Sequence, residues 1–148
     1  MKGLKWNTVF LADDDAEDCE IFAEALMEVN ADVKLTASKN GLELMTLLHK
    51  PPLPQPDVIF LDLNMPMKSG YQCLKEIREN EALKNHTVVI FTTSSQKDDI
   101  DLMYSMGANL YVAKPNDFDK LKDVIRKVLS FEWLNGMRQP DRKNFALL

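Results

Sequence analysis

Two continuous apolar runs restrict the fold more than any other feature. Val58-Ile59-Phe60-Leu61 and Thr87-Val88-Val89-Ile90-Phe91 show no polar alternation. A strand that is apolar on both sides belongs in a sheet covered on both faces, as in parallel α/β proteins. Both runs are too short for a helix. Thr8 to Ala12 and Leu110 to Ala113 read in the same way, and Val33 to Ala37 alternates apolar with polar residues. Helical spacing fills the intervals. Phe22, Ala25, Leu26 and Val29 form one apolar stripe; Leu44, Leu47 and Leu48 mark a second helix within Gly41 to His49. Leu74, Ile77 and Arg78 sit on a third, Ile100, Met103 and Tyr104 on a fourth that Gly107 ends. Leu121, Val124, Ile125, Val128 and Leu129 mark a last helix, extended to about Leu134. Pro51 to Pro56 forbids regular structure, because proline removes donors and fixes φ.

The order is strand then helix, five times. That implies an α/β fold with a doubly wound, five-stranded parallel sheet. The length of 148 residues suits one domain, expected over 1–134 with a tail at 135–148. The net charge of −5 argues against a sequence-independent grip on nucleic acid or an anionic membrane. No apolar run approaches a membrane span, and Val9-Phe10-Leu11-Ala12 is too short for a signal peptide's apolar region. Cys19 and Cys73 make no disulfide framework and lack metal-ligand spacing. They read as packing thiols in a reducing, cytosolic compartment. His49 and His86 read as solvated surface histidines, and Met65, Met103 and Met106 as packing residues.

Ligands of such sheets bind beyond the carboxyl ends of the strands. Those ends are all polar here: Asp13-Asp14-Asp15, Asp62, Thr92-Thr93-Ser94-Ser95 and Lys114-Pro115. Asp15 and the Thr92–Ser95 segment also read as helix caps. If the first and third strands are neighbours, Asp13, Asp14 and Asp62 crowd together, and like charges in one place need a compensating cation. Oxygen donors suit Mg²⁺ better than Zn²⁺, and Mg²⁺ typically takes one or two carboxylates plus phosphate oxygens.

With these residues in view, the chain resembles the receiver domains of two-component response regulators, of the chemotaxis-regulator type. The resemblance covers Asn7 to Leu129. Its motifs are Leu11-Ala12-Asp13-Asp14, Leu61-Asp62-Leu63-Asn64-Met65-Pro66 with Gly70, Phe91-Thr92-Thr93 and Tyr111-Val112-Ala113-Lys114-Pro115. It implies a flavodoxin-like (βα)5 receiver fold with strand order 2-1-3-4-5. It implies Asp62 as phosphoacceptor and Mg²⁺ bound by Asp14 and Asp62, with Asp13 in support and the backbone carbonyl of Asn64 as a further ligand. Lys114 would neutralise the phosphoryl oxygens. Thr92 would turn toward the phosphoryl group and the ring of Tyr111 would move inward behind it. The Lys114-Pro115 bond would be cis. The implied partners are a histidine kinase or histidine phosphotransfer protein, and a downstream protein at the surface of the fourth helix, fifth strand and fifth helix. Nucleic acid and membrane are not implied.

The departures from the family pattern carry meaning. Thr93 stands where a small residue is usual, which would narrow access to Asp62 and slow partner-driven dephosphorylation. Asn64 and Ser94 are not acidic, so strong built-in hydrolysis is not expected. Asn116, in place of phenylalanine, and Asn109-Leu110, in place of an acidic pair, weaken any expectation of the dimer used by DNA-binding regulators. The residues after Leu129 are too few for an output domain, so output is expected through protein binding. Three other classes come into question. A dehalogenase-type phosphatase wants a second Asp where Asn64 stands. A flavin or nucleotide binder wants a glycine-rich loop that is missing here. A phosphorylation-independent adaptor shares every site residue, and only labelling of Asp62 separates it.

Overall fold

A computed structural model describes residues 8–50, 55–130 and 139–148. The strands are β1 (Thr8–Ala12), β2 (Lys34–Ser38), β3 (Val58–Leu61), β4 (Val88–Thr92), β5 (Leu110–Ala113) and β6 (Ala146–Leu147). The helices are α1 (Ala16–Val29), α2 (Gly41–Leu48), α3 (Gly70–Glu79), α4 (Lys97–Ser105), α5 (Phe118–Ser130) and α6 (Arg142–Phe145). All strand pairs are parallel, in the order β2-β1-β3-β4-β5-β6. The doubly wound architecture and the order 2-1-3-4-5 are as expected. The expected strand count is corrected from five to six, because the end of the chain adds a strand beside β5. Extension of the last helix to Leu134 lies outside the described residues.

The two-residue repeat of the strands sorts the core into two layers. Phe10, Ile59, Leu61, Ile90 and Tyr111 face one side with Leu44, Leu74, Ile77 and Met103. Leu11, Phe60, Phe91 and Val112 face the other with Phe22, Leu26, Leu121 and Ile125. Helices α2, α3 and α4 therefore cover one face, and α1 and α5 the other. Phe22, Phe60 and Phe91 meet edge to face at centroid distances of 4.9–5.9 Å, the arrangement aromatic quadrupoles favour. Residues β2 and β4 each lie one position later than the hydrophobic pattern suggested. Gly107 ends α4 as expected, at φ +95°. Cys73 is buried and Cys19 half-buried, as packing thiols should be.

The segment at 139–148 is built onto the domain. Phe145 is fully buried and packs edge to face on Tyr104, with centroids 5.0 Å apart. Gln139 donates to the carbonyls of Tyr104 and Ala108, both at 2.7 Å, and Arg142 pairs with Asp101. The short β6 works because its partner β5 would otherwise be an open edge.

Arg78 braces the amino-terminal end of the sheet at β4 and β5. Its guanidinium donates to the carbonyls of Gly107 (2.9 Å), Lys84 (2.9 Å) and His86 (2.8 Å) and to Asn109 Oδ1 (2.9 Å). Asn109 Oδ1 also accepts the Val88 amide, so Arg78 ties the entries to β4 and β5 together. His86 is not a solvated histidine: it is half-buried, and burial, helped by the Arg78 charge, lowers its pKa. His49 is exposed and pairs with Glu76. Arg78→Met removes all four bonds, with Asn109 Oδ1 keeping only the Val88 amide, and urea unfolding should register a loss of about 3 kcal/mol. A loss below about 1 kcal/mol would show that water replaces the guanidinium at no cost.

Candidate phosphoryl-transfer site

Each candidate residue at the sheet's carboxyl edge stands one step beyond its strand and continues the ladder with its own amide. Asp13 N–H donates to Ser38 O (3.0 Å), Asp62 N–H to Ala12 O (3.0 Å) and Lys114 N–H to Thr92 O (2.7 Å). Their positions are therefore set by backbone pairing between neighbouring strands. The side chains converge as a result. Carboxylate oxygens of Asp13, Asp14 and Asp62 lie within 4.8 Å of one another. Asp13 and Asp62 are buried at 1% and 7% exposure, whereas Asp14 is open to solvent.

Lys114 is the counter-charge. Its Nζ donates to Asp13 Oδ2 at 2.6 Å and to Asp18 Oδ2 at 3.0 Å, and lies 3.5 Å from Asp62 Oδ2. It also lies 5.6 Å from the Phe91 ring centroid. Burial alone would lower the Lys114 pKa. The bond to Asp13, the charges of Asp62 and Asp13 and the bond to Asp18 overcome it and raise the value above that of ordinary lysine. Burial raises the Asp13 carboxyl above its usual range; the bonds from Lys114 and the Asp15 amide only partly offset that. Asp13 Oδ1 accepts that Asp15 amide at 3.0 Å, so both carboxylate oxygens have donors within the protein. Cys19 approaches the Asp13 carbonyl, but burial, with the Asp13 charge next, pushes its thiol up to about 11, so it is no nucleophile at neutral pH.

The loop after Asp62 is clamped by contact. A Cβ on Gly70 would lie 2.2 Å from the Asp62 carbonyl oxygen, and one on Gly41 would lie 2.1 Å from the Lys68 carbonyl oxygen. Neither position admits a larger residue without moving that loop. Met67 adopts φ 71° there, a conformation that non-glycine residues hold only under constraint. Asn64 stands exposed in the same loop, two residues after Asp62.

Thr92 and Tyr111 belong to the face covered by α4. Thr92 Oγ1 is fully buried and has no hydrogen-bond partner, an arrangement that usually signals a missing ligand or a functional role. The ring of Tyr111 is already inward: it is fully buried and its hydroxyl donates to Ser94 O at 2.9 Å. The resemblance led us to expect that position only with a phosphoryl group present. Phe145, 6.3 Å away, packs behind the ring. Ser94 Oγ donates to Asp99 at 2.5 Å and Tyr71 donates to the same carboxylate at 3.0 Å, which ties the β4–α4 loop to α3 and α4. The helix-cap reading holds for Asp15, which accepts the Asp18 amide. It fails for the Thr92–Ser95 segment, since the cap of α4 is Gln96.

One residue of the constellation, Asp18, was not foreseen. It lies in the first turn of α1, and only the rotation of that helix against the sheet brings it to Lys114. A groove of about 360 Å³, lined by Asp18, Ile21, Lys114, Pro115 and Phe118, opens beside the pair.

The pattern of the response regulator receiver domain matches residues 9–126. The chain belongs to the response regulator receiver family. Response regulator Rcp1 of Synechocystis sp. is 32% identical over 136 residues, covering 89% of this chain and 92% of Rcp1. The structure of Mn²⁺-bound Rcp1 has a TM-score of 0.76 over 90% of this chain and 99% of that one. The phosphorylated cyanobacterial phytochrome response regulator RcpA, 30% identical, scores 0.79 over 92% and 99%. Response regulator RPA3017, in red light signaling of R. palustris, is 26% identical and scores 0.80 over 90% and 98%. The receiver fold read from the sequence is therefore this chain's fold, and its place is in two-component signalling. No described helix is long and apolar enough to cross a membrane.

The acidic cluster fits a hard divalent cation, since its donors are all carboxylate oxygens and one of them is open to solvent. Asp14→Asn should weaken Mg²⁺ or Mn²⁺ binding by about tenfold or more in calorimetric titration. Unchanged affinity would place the ion elsewhere.

Proposed function

We propose that the chain is a phosphorylation-controlled switch whose acceptor is Asp62. The observation that carries this is the meeting of Asp62, Asp13, Asp14 and Lys114 at one edge of the sheet. A carboxylate oxygen of Asp62 attacks the phosphorus of a phosphohistidine. The P–N bond breaks, its electron pair stays on the imidazole, and an acyl phosphate forms on Asp62. Little else is asked of the protein than positioning and charge. Lys114 donates to the phosphoryl oxygens from a site where its positive charge is secure. Asp13, Asp14, Asp62 and the backbone carbonyl of Asn64 would hold Mg²⁺, which when bound supplies the remaining positive charge. Thr92 offers its unpartnered hydroxyl to the phosphoryl group, and Tyr111 links that event to the β4–α4 loop through Ser94.

The donor is a histidine kinase or histidine phosphotransfer protein. The names of RcpA and RPA3017 favour the kinase of a red-light photoreceptor. Output passes by protein binding at α4, β5 and α5, a surface to which residues 139–148 contribute, because β6 and α6 lie on it. The chain promotes its own phosphoryl transfer without being a turnover enzyme.

Intact mass after incubation with acetyl phosphate tests the reading. Wild type should gain one phosphoryl group only when Mg²⁺ is present, and Asp62→Asn should gain none. Wild type that neither labels nor binds beryllofluoride, which mimics a phosphoryl group on a carboxylate, would reduce the chain to a constitutive adaptor.

A further inference from the structure

Lys114 is held by more carboxylates than phosphoryl transfer needs. It donates to Asp13 and Asp18 at 2.6 and 3.0 Å and stands farther, at 3.5 Å, from Asp62, the group it must serve. The two holders differ. Asp13 is buried and receives a second bond from the Asp15 amide. Asp18 has a side chain 38% exposed, and Lys114 supplies its ion pair. Asp18 is not needed as the cap of α1, which Asp15 provides. A phosphoryl group on Asp62 must therefore draw Lys114 from an existing partner, and the partly solvated Asp18 is the easier one to leave, because water can replace the ammonium there.

We propose that Asp18 is a positioning residue that competes with the phosphoryl group for Lys114, and so sets how readily the acceptor site takes up phosphate. The proposal rests on the phosphoacceptor reading above. Asp18 acts in two ways, both electrostatic. It holds the Lys114 ammonium toward α1, and it adds a negative charge to a site that must receive a dianionic group. The same charge favours a divalent cation. Asp18 thus shifts the site's preference toward the cation and away from the phosphoryl group. Loss of its charge should move the two affinities in opposite directions, which a residue that merely stabilises the start of α1 would not do.

The test compares wild type, Asp18→Asn and Asp18→Glu. Mg²⁺ binding is measured by calorimetry, and beryllofluoride binding by ¹⁹F NMR at saturating Mg²⁺. Asp18→Asn should bind Mg²⁺ alone about two- to fivefold more weakly and beryllofluoride about three- to tenfold more tightly than wild type. Asp18→Glu, which keeps the charge, should return both values toward wild type. Thermal unfolding shows whether each variant is folded. Beryllofluoride affinity that is unchanged or weaker in folded Asp18→Asn overturns the proposal. So does a tightening that Asp18→Glu shows equally, since the charge would then not matter. If Asp18→Asn does not fold, Asp18→Ser takes its place. Asp18→Ser should then bind beryllofluoride more tightly than wild type; equal or weaker affinity overturns the proposal. If wild type itself binds no beryllofluoride, the phosphoacceptor reading fails first and takes this one with it.

Discussion

The ammonium of Lys114 makes the carboxyl edge of this sheet tolerable. Parallel pairing places Asp13 and Asp62 at the ends of adjacent strands that are buried on both faces. Two carboxylates in such a place repel, and burial raises the Asp13 carboxyl above its usual range. Lys114, at the end of β5, reaches back over Phe91 to Asp13 and Asp62. It compensates part of the charge, and the exposed Asp14 leaves the remainder facing solvent, where a divalent cation can enter. The arrangement is poised: more negative than one lysine can balance, yet fixed by backbone pairing.

The two-residue repeat of the strands separates two tasks. Lys114, in step with Val112, falls on the side of α1 and α5, where it meets Asp18. Tyr111 falls on the side of α4, with Phe145 behind it. Tyr111 within β5 and Lys114 one step beyond it thus serve, respectively, the packed face from which a signal would leave and the charged site. Thr92 sits between them, buried and unpartnered, at the end of β4. A change of charge at Asp62 has a short path to the β4–α4 loop. That loop is restrained by Tyr111, Asp99 and Tyr71, so it has defined bonds to exchange.

Most of this was legible in the amino-acid order, for a physical reason. A doubly covered strand must be apolar, so the first polar residue after each run marks the sheet edge, and Asp13, Asp62 and Lys114 declare themselves. What was hidden depends on geometry that linear order does not carry. Asp18 and Lys114 are 96 residues apart and meet only through the rotation of α1. Arg78 looks like the polar side of an amphipathic helix, yet it is mostly buried among backbone carbonyls. Phe145-Ala146-Leu147 is too short to suggest a strand; it becomes one because β5 offers an open edge and Tyr104 a ring to pack on. The inward Tyr111 follows from the same packing.

A crystal structure with Mg²⁺ and beryllofluoride addresses the central claim most directly. The account predicts one beryllofluoride on Asp62, with Lys114 Nζ moved from Asp18 to within hydrogen-bond distance of a fluorine and with Thr92 Oγ1 donating to another. A beryllofluoride bound elsewhere, or a Lys114 still paired with Asp18 and remote from the fluorines, would contradict it.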